Sequence, residues 1–179
     1  MSISDFFFEL GLLNRVKRSG FDFLGTGDQT VSQHSYRMAV IGYYLAKVMG
    51  ADTLKVILIS LFHDVCEART GDLNYVNKLY ANTDEEKANR DMLKNTPFEA
   101  EITELLSEFA LKESLEARIC MDADQLEMIL TLKEELDRGN SSAEKWFIPI
   151  KKRLFLAESR EISDTITGSS SSDWWMKLL

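Results

Sequence analysis

Only two histidines occur in the 179 residues, and each stands near carboxylates that could share a cation with it. His63 is followed at once by Asp64, then by Glu67 and, just past Gly71, by Asp72. His34 lies upstream in the segment Val31-Ser-Gln-His34-Ser-Tyr-Arg37-Met-Ala-Val40. Imidazole nitrogen together with carboxylate oxygen suits a divalent transition metal such as manganese, cobalt, iron, nickel or zinc. Such a set leaves positions open for water and substrate. A carboxylate beside that water, and not bound to the metal, is the usual general acid or base. Successive helical residues turn by about 100°, so Glu67 projects about 40° from His63, and His63, Asp64 and Glu67 share one patch at a helix end. Asp72 can fold back over that patch. A fourth ligand must come from another helix. The segment Ile119-Cys-Met-Asp-Ala-Asp-Gln-Leu-Glu127 puts Asp122 and Asp124 among apolar neighbours, where a carboxylate without a partner is costly. Periodicity does not choose between them.

The elements that position these groups all read as helices. Apolar residues recur at helical spacing nearly throughout, with breakers between the stretches and no convincing strand. The pattern predicts a first helix over about Ile3–Lys17 and an ordered loop from Ser19 to Asp28. A second helix is expected from a Ser32 N-cap to Met49, stopped at Gly50. Its stripe of His34, Met38, Ile41, Leu45 and Val48 faces inward. A third helix after Asp52 is apolar nearly all round, which predicts a central, buried helix ending at Gly71. Asp84–Lys94 reads as a polar surface helix. Thr96-Pro97-Phe98-Glu99 has the form of a capping box with proline at the first helical position. A long helix is expected over Ser114–Arg138 and a last one over about 142–160, kinked or split by Pro149. Gly168 and four serines suggest a flexible joint over 168–172, with the apolar Trp174-Trp175-Met176 tail packing on the domain or on a second subunit. One domain, 1–179, follows.

Composition narrows the function classes. Apolar residues make up 45% and charged residues 28%, as in ordinary globular chains. The net charge of -8 argues against binding duplex nucleic acid through broad phosphate neutralisation. It leaves room for a small phosphorylated substrate, because a cation and a few basic side chains reverse the potential locally. Cys66 and Cys120 form no short-spaced pair, which fits a reduced, cytoplasmic setting. No apolar stretch approaches a membrane span, and no basic segment precedes Phe6–Phe8 as a secretory signal would require.

His34, the His63-Asp64 doublet and a late aspartate resemble the H…HD…D pattern of the HD-domain superfamily of metal-dependent phosphohydrolases. The 5′-deoxynucleotidase-like branch is the more similar. The resemblance is carried by the His34 segment, by His63-Asp-Val-Cys-Glu67 with Gly71-Asp72-Leu73, and by Asp124-Gln-Leu-Glu-Met-Ile-Leu130. It extends from about residue 12 to residue 130. It implies an all-α helical bundle with a metal site between helices, and it selects Asp124 as the fourth ligand. It further implies that Glu67 and Asp72 position or deprotonate the attacking water. Arg18 resembles the arginine that holds the substrate phosphate or sugar, and Phe21 stands where an aromatic residue flanks the nucleotide. Two positions depart from the pattern: Asn74 follows Leu73 where a proline is usual, and residue 21 is phenylalanine where tryptophan is common. Both bear on substrate choice. The activity implied is hydrolysis of a 5′-deoxyribonucleoside monophosphate to deoxynucleoside and phosphate; the expectation of a homodimer rests instead on the apolar Trp174-Trp175 tail. A metal-stabilised scaffold that binds nucleotides without turnover needs the ligands but not Glu67 and Asp72, so their presence favours an enzyme.

Overall fold

The computed structural model describes residues 2–179, and its architecture is entirely helical. The elements in order are α1 (Ile3–Leu10), α2 (Val31–Met49), α3 (Thr53–Phe62), α4 (Glu67–Thr70), α5 (Glu85–Leu93), α6 (Glu99–Leu111), α7 (Leu115–Asp137), α8 (Glu144–Lys151), α9 (Ala157–Gly168) and α10 (Asp173–Met176). Short 3-10 turns occupy Gly11–Asn14, Ser19–Phe23, Asn77–Leu79 and Ser141–Ala143. Among the described residues the one isolated pairing of extended backbone is the antiparallel bridge between Lys17 and Thr30.

α7 is the axis of the bundle, with α2, α3, α6, α8 and α9 packed around it. Its residues Ile119, Cys120, Ala123, Leu126, Ile129 and Leu132 are fully buried. They meet Met38 and Leu45 of α2 and Val56 and Ile59 of α3 in one continuous core. The sequence reading gave the central place to the third helix. α3 instead leaves Leu54 and Leu61 exposed, so its apolar composition overstates its burial. α2 and α3 pack very closely. A Cβ added at Gly42 would stand 2.8 Å from Val56 Cγ1 and 3.3 Å from Ser60 Oγ. That bare position on α2 brings the helix carrying His34 against the helix that ends at His63.

Several boundaries differ from expectation, each for a local reason. The first helix stops at Leu10 and tightens into the Gly11–Asn14 turn. Thr30, not Ser32, caps α2: its hydroxyl accepts from the Gln33 N–H while the Gln33 side chain accepts from the Thr30 N–H. Ser32 hydrogen-bonds Asn14 instead. α3 ends at Phe62, eight residues before Thr70, and its continuation is the separate single turn α4 before Gly71. The Thr96 capping box does not form. The Glu99 carboxylate accepts from the Asn95 N–H and Thr96 donates to the Leu93 carbonyl, so α6 starts only after Phe98.

The expected last helix is two helices, broken after Lys151 rather than at Pro149, and the second runs on to Gly168. Asp122, buried on α7, secures that break by accepting from the N–H groups of Phe155 (2.8 Å) and Leu156 (2.9 Å) at the start of α9. The 168–172 joint is pinned by the Ser171 N–H on Asp137, yet Trp174 and Trp175 remain 74% and 43% exposed. No helix among the described residues is long and apolar enough to cross a membrane.

Asp122→Ala removes two charge-assisted hydrogen bonds from part-buried N–H groups, so it should cost about 2–4 kcal/mol of stability. Urea denaturation reads this directly; a midpoint equal to the parent's would contradict the capping assignment.

Candidate metal centre and its cleft

Four chain segments meet at the site. α2 supplies His34, the turn after α3 supplies His63 and Asp64, α4 supplies Glu67, and α7 supplies Asp124. Atoms of His34, His63 and Asp124 capable of binding metal lie within 4.8 Å of one another. Asp64 joins them: its Oδ2 is 3.0 Å from His63 Nε2 and 3.9 Å from His34 Nε2. Asp124 Oδ1 is 3.2 Å from His34 Nε2. Asp122 takes no part, because its carboxylate is occupied at the start of α9.

Hydrogen bonds on the far side of each ring fix which nitrogen faces the cluster. His63 Nδ1 lies 3.0 Å from the Ser60 carbonyl, which can only accept, so Nδ1–H donates there and Nε2 is the nitrogen turned to the cluster. His34 Nδ1 lies 2.6 Å from Glu127 Oε2. Burial alone would raise the Glu127 carboxyl, but His34, Arg37 and Gln29 together hold it below the ordinary value. It is therefore an anion that accepts from Nδ1–H and turns His34 Nε2 toward Asp124. That Nε2 atom is buried without a hydrogen-bond partner. Such an orphan, flanked by carboxylates, is what a metal ligand looks like before the metal is counted. The donor set, two imidazoles and two carboxylates, fits a divalent cation.

The charges around the cluster tell the same story. Burial would lower the His34 pKa, yet Asp124 and Glu127 lift it to about 9. Asp64 is held far below the usual carboxylate value, since burial is outweighed by His63, Arg18 and His34. Asp124 behaves likewise, brought down to about 2 against its burial by His34, Arg18 and His63. The cluster is a sink for positive charge.

Arg18 and the acids beside it complete the wall. Arg18 Nη1 donates to Asp64 Oδ2 at 3.1 Å, and its other nitrogens lie 3.9 Å from Asp72 and from Asp124. Its position is set by the backbone, where the Arg18 N–H donates to the Gln29 carbonyl beside the Lys17–Thr30 bridge and pinches off the intervening loop. Asp72 is anchored on the Ser19 N–H at 2.8 Å. Glu67 is 8% exposed, its Oε2 has no partner, and its carboxyl is pushed up to about 9 by burial and by the nearby Asp64 and Asp72. Phe21 is also largely buried, but it lines the same cleft. The cleft has a volume of about 830 Å³ and runs from His63, Asp64, Glu67 and Asp72 to an apolar wall that includes Phe23, Met128 and Trp146.

Glu127 is the main residue the sequence reading passed over. It lies one helical turn after Asp124, is wholly buried, and gathers His34, Arg37 (2.8 Å), Gln29 (2.6 Å) and Thr131 (3.1 Å) on its two oxygens. A signal for it was present, since a glutamate in an otherwise buried helical stripe needs a cationic partner.

With the geometry in hand, comparison with known proteins is informative. The HD-domain family profile matches residues 10–162. The human protein named 5′-deoxynucleotidase HDDC2 is 32% identical over 145 residues, covering 76% of this chain and 69% of its own length. A conserved hypothetical protein from Pyrococcus furiosus superposes with a TM-score of 0.75 at 30% identity, over 92% of this chain and 99% of its own. A cyanophage S-2L HD phosphohydrolase, solved with dA and one catalytic Zn2+, shares the fold at 19% identity with a TM-score of 0.56, over 90% and 96% of the two chains.

If Glu127 orients His34, Glu127→Gln should leave the chain folded but weaken its hold on a divalent cation about 10- to 100-fold, as loss of such partners does. Titration with Mn2+ followed by its paramagnetic resonance measures this, and an unchanged affinity would contradict the orienting role.

Proposed function

The chain belongs to the HD-domain family, and we propose that it is a metal-dependent phosphohydrolase that converts a 5′-deoxyribonucleoside monophosphate to deoxynucleoside and inorganic phosphate. The observation that carries this reading is the orphaned, buried Nε2 of His34 at the meeting point of His63, Asp64 and Asp124, with Arg18 and Glu67 alongside in one open cleft. The substrate class draws support from curated relatives of about 30% identity that are named 5′-deoxynucleotidases.

In this reading His34, His63, Asp64 and Asp124 hold one divalent cation, and nitrogen plus carboxylate ligands admit manganese, iron, cobalt, nickel or zinc. A cation held there would supply positive charge to the phosphate and make water more acidic. Arg18 neutralises phosphate charge from the side held by Asp64 and Asp72. Glu67 is the proton carrier. Its buried carboxylate accepts a proton from the water that attacks phosphorus, and it returns that proton to the departing 5′ oxygen as the P–O bond breaks. Burial and the charges of Asp64 and Asp72 raise its carboxyl, and a cation bound beside them would offset the repulsion and favour the ionised form that accepts the proton. Asp72, tied to the Ser19 N–H, keeps Arg18 in line. A nucleotide-binding scaffold would have no use for a buried, unpartnered Glu67, which favours turnover.

The test is phosphate release from ribo- and deoxyribonucleoside mono- and triphosphates, after chelation and after adding back manganese, cobalt or zinc. Cation-dependent release from the deoxyribonucleoside monophosphates is expected. In Glu67→Gln that rate should fall at least about 100-fold with cation binding retained. Release from triphosphates alone, or a fully active Glu67→Gln, would contradict the assignment.

A further inference from the structure

Resting on that reading, the structure assigns the base of the nucleotide to a seat that no sequence motif marks: the wall formed by Trp146 of α8, Phe23 and Met128, in the cleft that Gly20 also lines. The expected aromatic neighbour of the nucleotide is Phe21, but its ring is already committed. It closes on the bare backbone of Gly27, where an added Cβ would stand 2.3 Å from Phe21 Cδ1, and only 8% of the residue is exposed. Of the other aromatic residues that line the cleft, Phe109 packs edge-on against His63 and Tyr75 is 74% exposed, whereas Trp146 and Phe23 pair with ring centroids 6.4 Å apart and tilted by 43°, and Phe23 is half exposed.

The spacing also fits. Asp124 and Met128 both line the cleft from α7 and lie one turn apart, about 6 Å along the axis. That rise points from the cation cluster toward α8, which packs on α7, and it is comparable to the width of the sugar that separates phosphate from base. Gly20 lines the same cleft as Arg18 and this wall. Its φ is not positive, and a Cβ built on it meets nothing within 4 Å, so neither backbone nor packing calls for glycine there. A bulky side chain at this lining position should narrow the cleft.

Trp146, Phe23 and Met128 carry no array of donors and acceptors that could read a base edge. Gln125, which also lines the cleft, already donates to Asp124, so the wall itself favours stacking area and with it purines over pyrimidines. Three variants test it with dAMP, dTMP and the baseless 2-deoxyribose 5-phosphate. Trp146→Leu keeps bulk and removes the π face. It should raise KM about tenfold for dAMP and less for dTMP, while KM for the baseless sugar phosphate moves less than about twofold. Trp146→Phe should restore most of the dAMP affinity, and Gly20→Val should reproduce the loss by narrowing the cleft.

An unmoved KM for dAMP, or an equal rise for the baseless compound, would overturn the seat. If the parent protein releases phosphate from none of the three, the hydrolase reading fails, and deoxyadenosine binding followed by NMR line broadening decides the seat separately. Broadening by the parent and not by Trp146→Leu supports it; equal broadening by both, or none by either, refutes it.

Discussion

The hydrogen bond from His34 Nδ1 to Glu127, wholly buried between α2 and α7, constrains the rest of the site. A buried carboxylate is costly unless it is paired, and a buried imidazole can turn either nitrogen to its neighbours. Pairing the two resolves both problems together. It keeps Glu127 ionised, holds a proton on His34 Nδ1, and leaves Nε2 aimed at Asp124, 3.2 Å from its Oδ1 but without a well-directed hydrogen bond. Arg37, Gln29 and Thr131 occupy the other oxygen of Glu127, so the carboxylate cannot swing away. Gly42 then sets the distance between the helix of His34 and the helix that ends at His63.

From that anchor the remaining groups follow by chain geometry. α3 stops at Phe62, and the tight turn after it holds Asp64 Oδ2 3.0 Å from His63 Nε2. The same turn leads into α4, whose first residue is Glu67. The pinch between Arg18 and Gln29 serves both sides of the cluster, because one strand delivers Arg18 to Asp64 while the other delivers the Gln29 side chain to Glu127. Three acids and a buried arginine therefore coexist because each offsets the desolvation of its neighbours.

Much of this was legible in the sequence. The all-helical class followed from periodicity, and α2, α5 and α7 lie close to their expected bounds, because Gly50 stops α2 while Asp84 and Ser114 cap α5 and α7; the Thr30 cap of α2 was missed in favour of Ser32. Convergence of His63, Asp64 and Glu67 was readable from spacing alone. What was not legible depended on tertiary partners. Asp122 and Asp124 sit two residues apart on one apolar helix, and only the presence of the Phe155 and Leu156 N–H groups opposite Asp122 separates their roles. The break after Lys151 and the failure of the Thr96 capping box have the same origin, since in each a local signal yields to a competing hydrogen bond. The centrality of α7 was hidden by its charges: Glu127, Lys133 and Glu135 are buried polar residues that a hydropathy pattern counts as surface.

The central claim is that His34, His63, Asp64 and Asp124 together hold a single divalent cation while Asp122 serves the fold. Metal content after dialysis against Mn2+ or Zn2+, measured on the parent chain, Asp124→Ala and Asp122→Ala, tests it most directly. The account predicts one equivalent per chain for the parent and for Asp122→Ala, and close to none for a folded Asp124→Ala. A full equivalent retained by Asp124→Ala, or its loss from a folded Asp122→Ala, would contradict it.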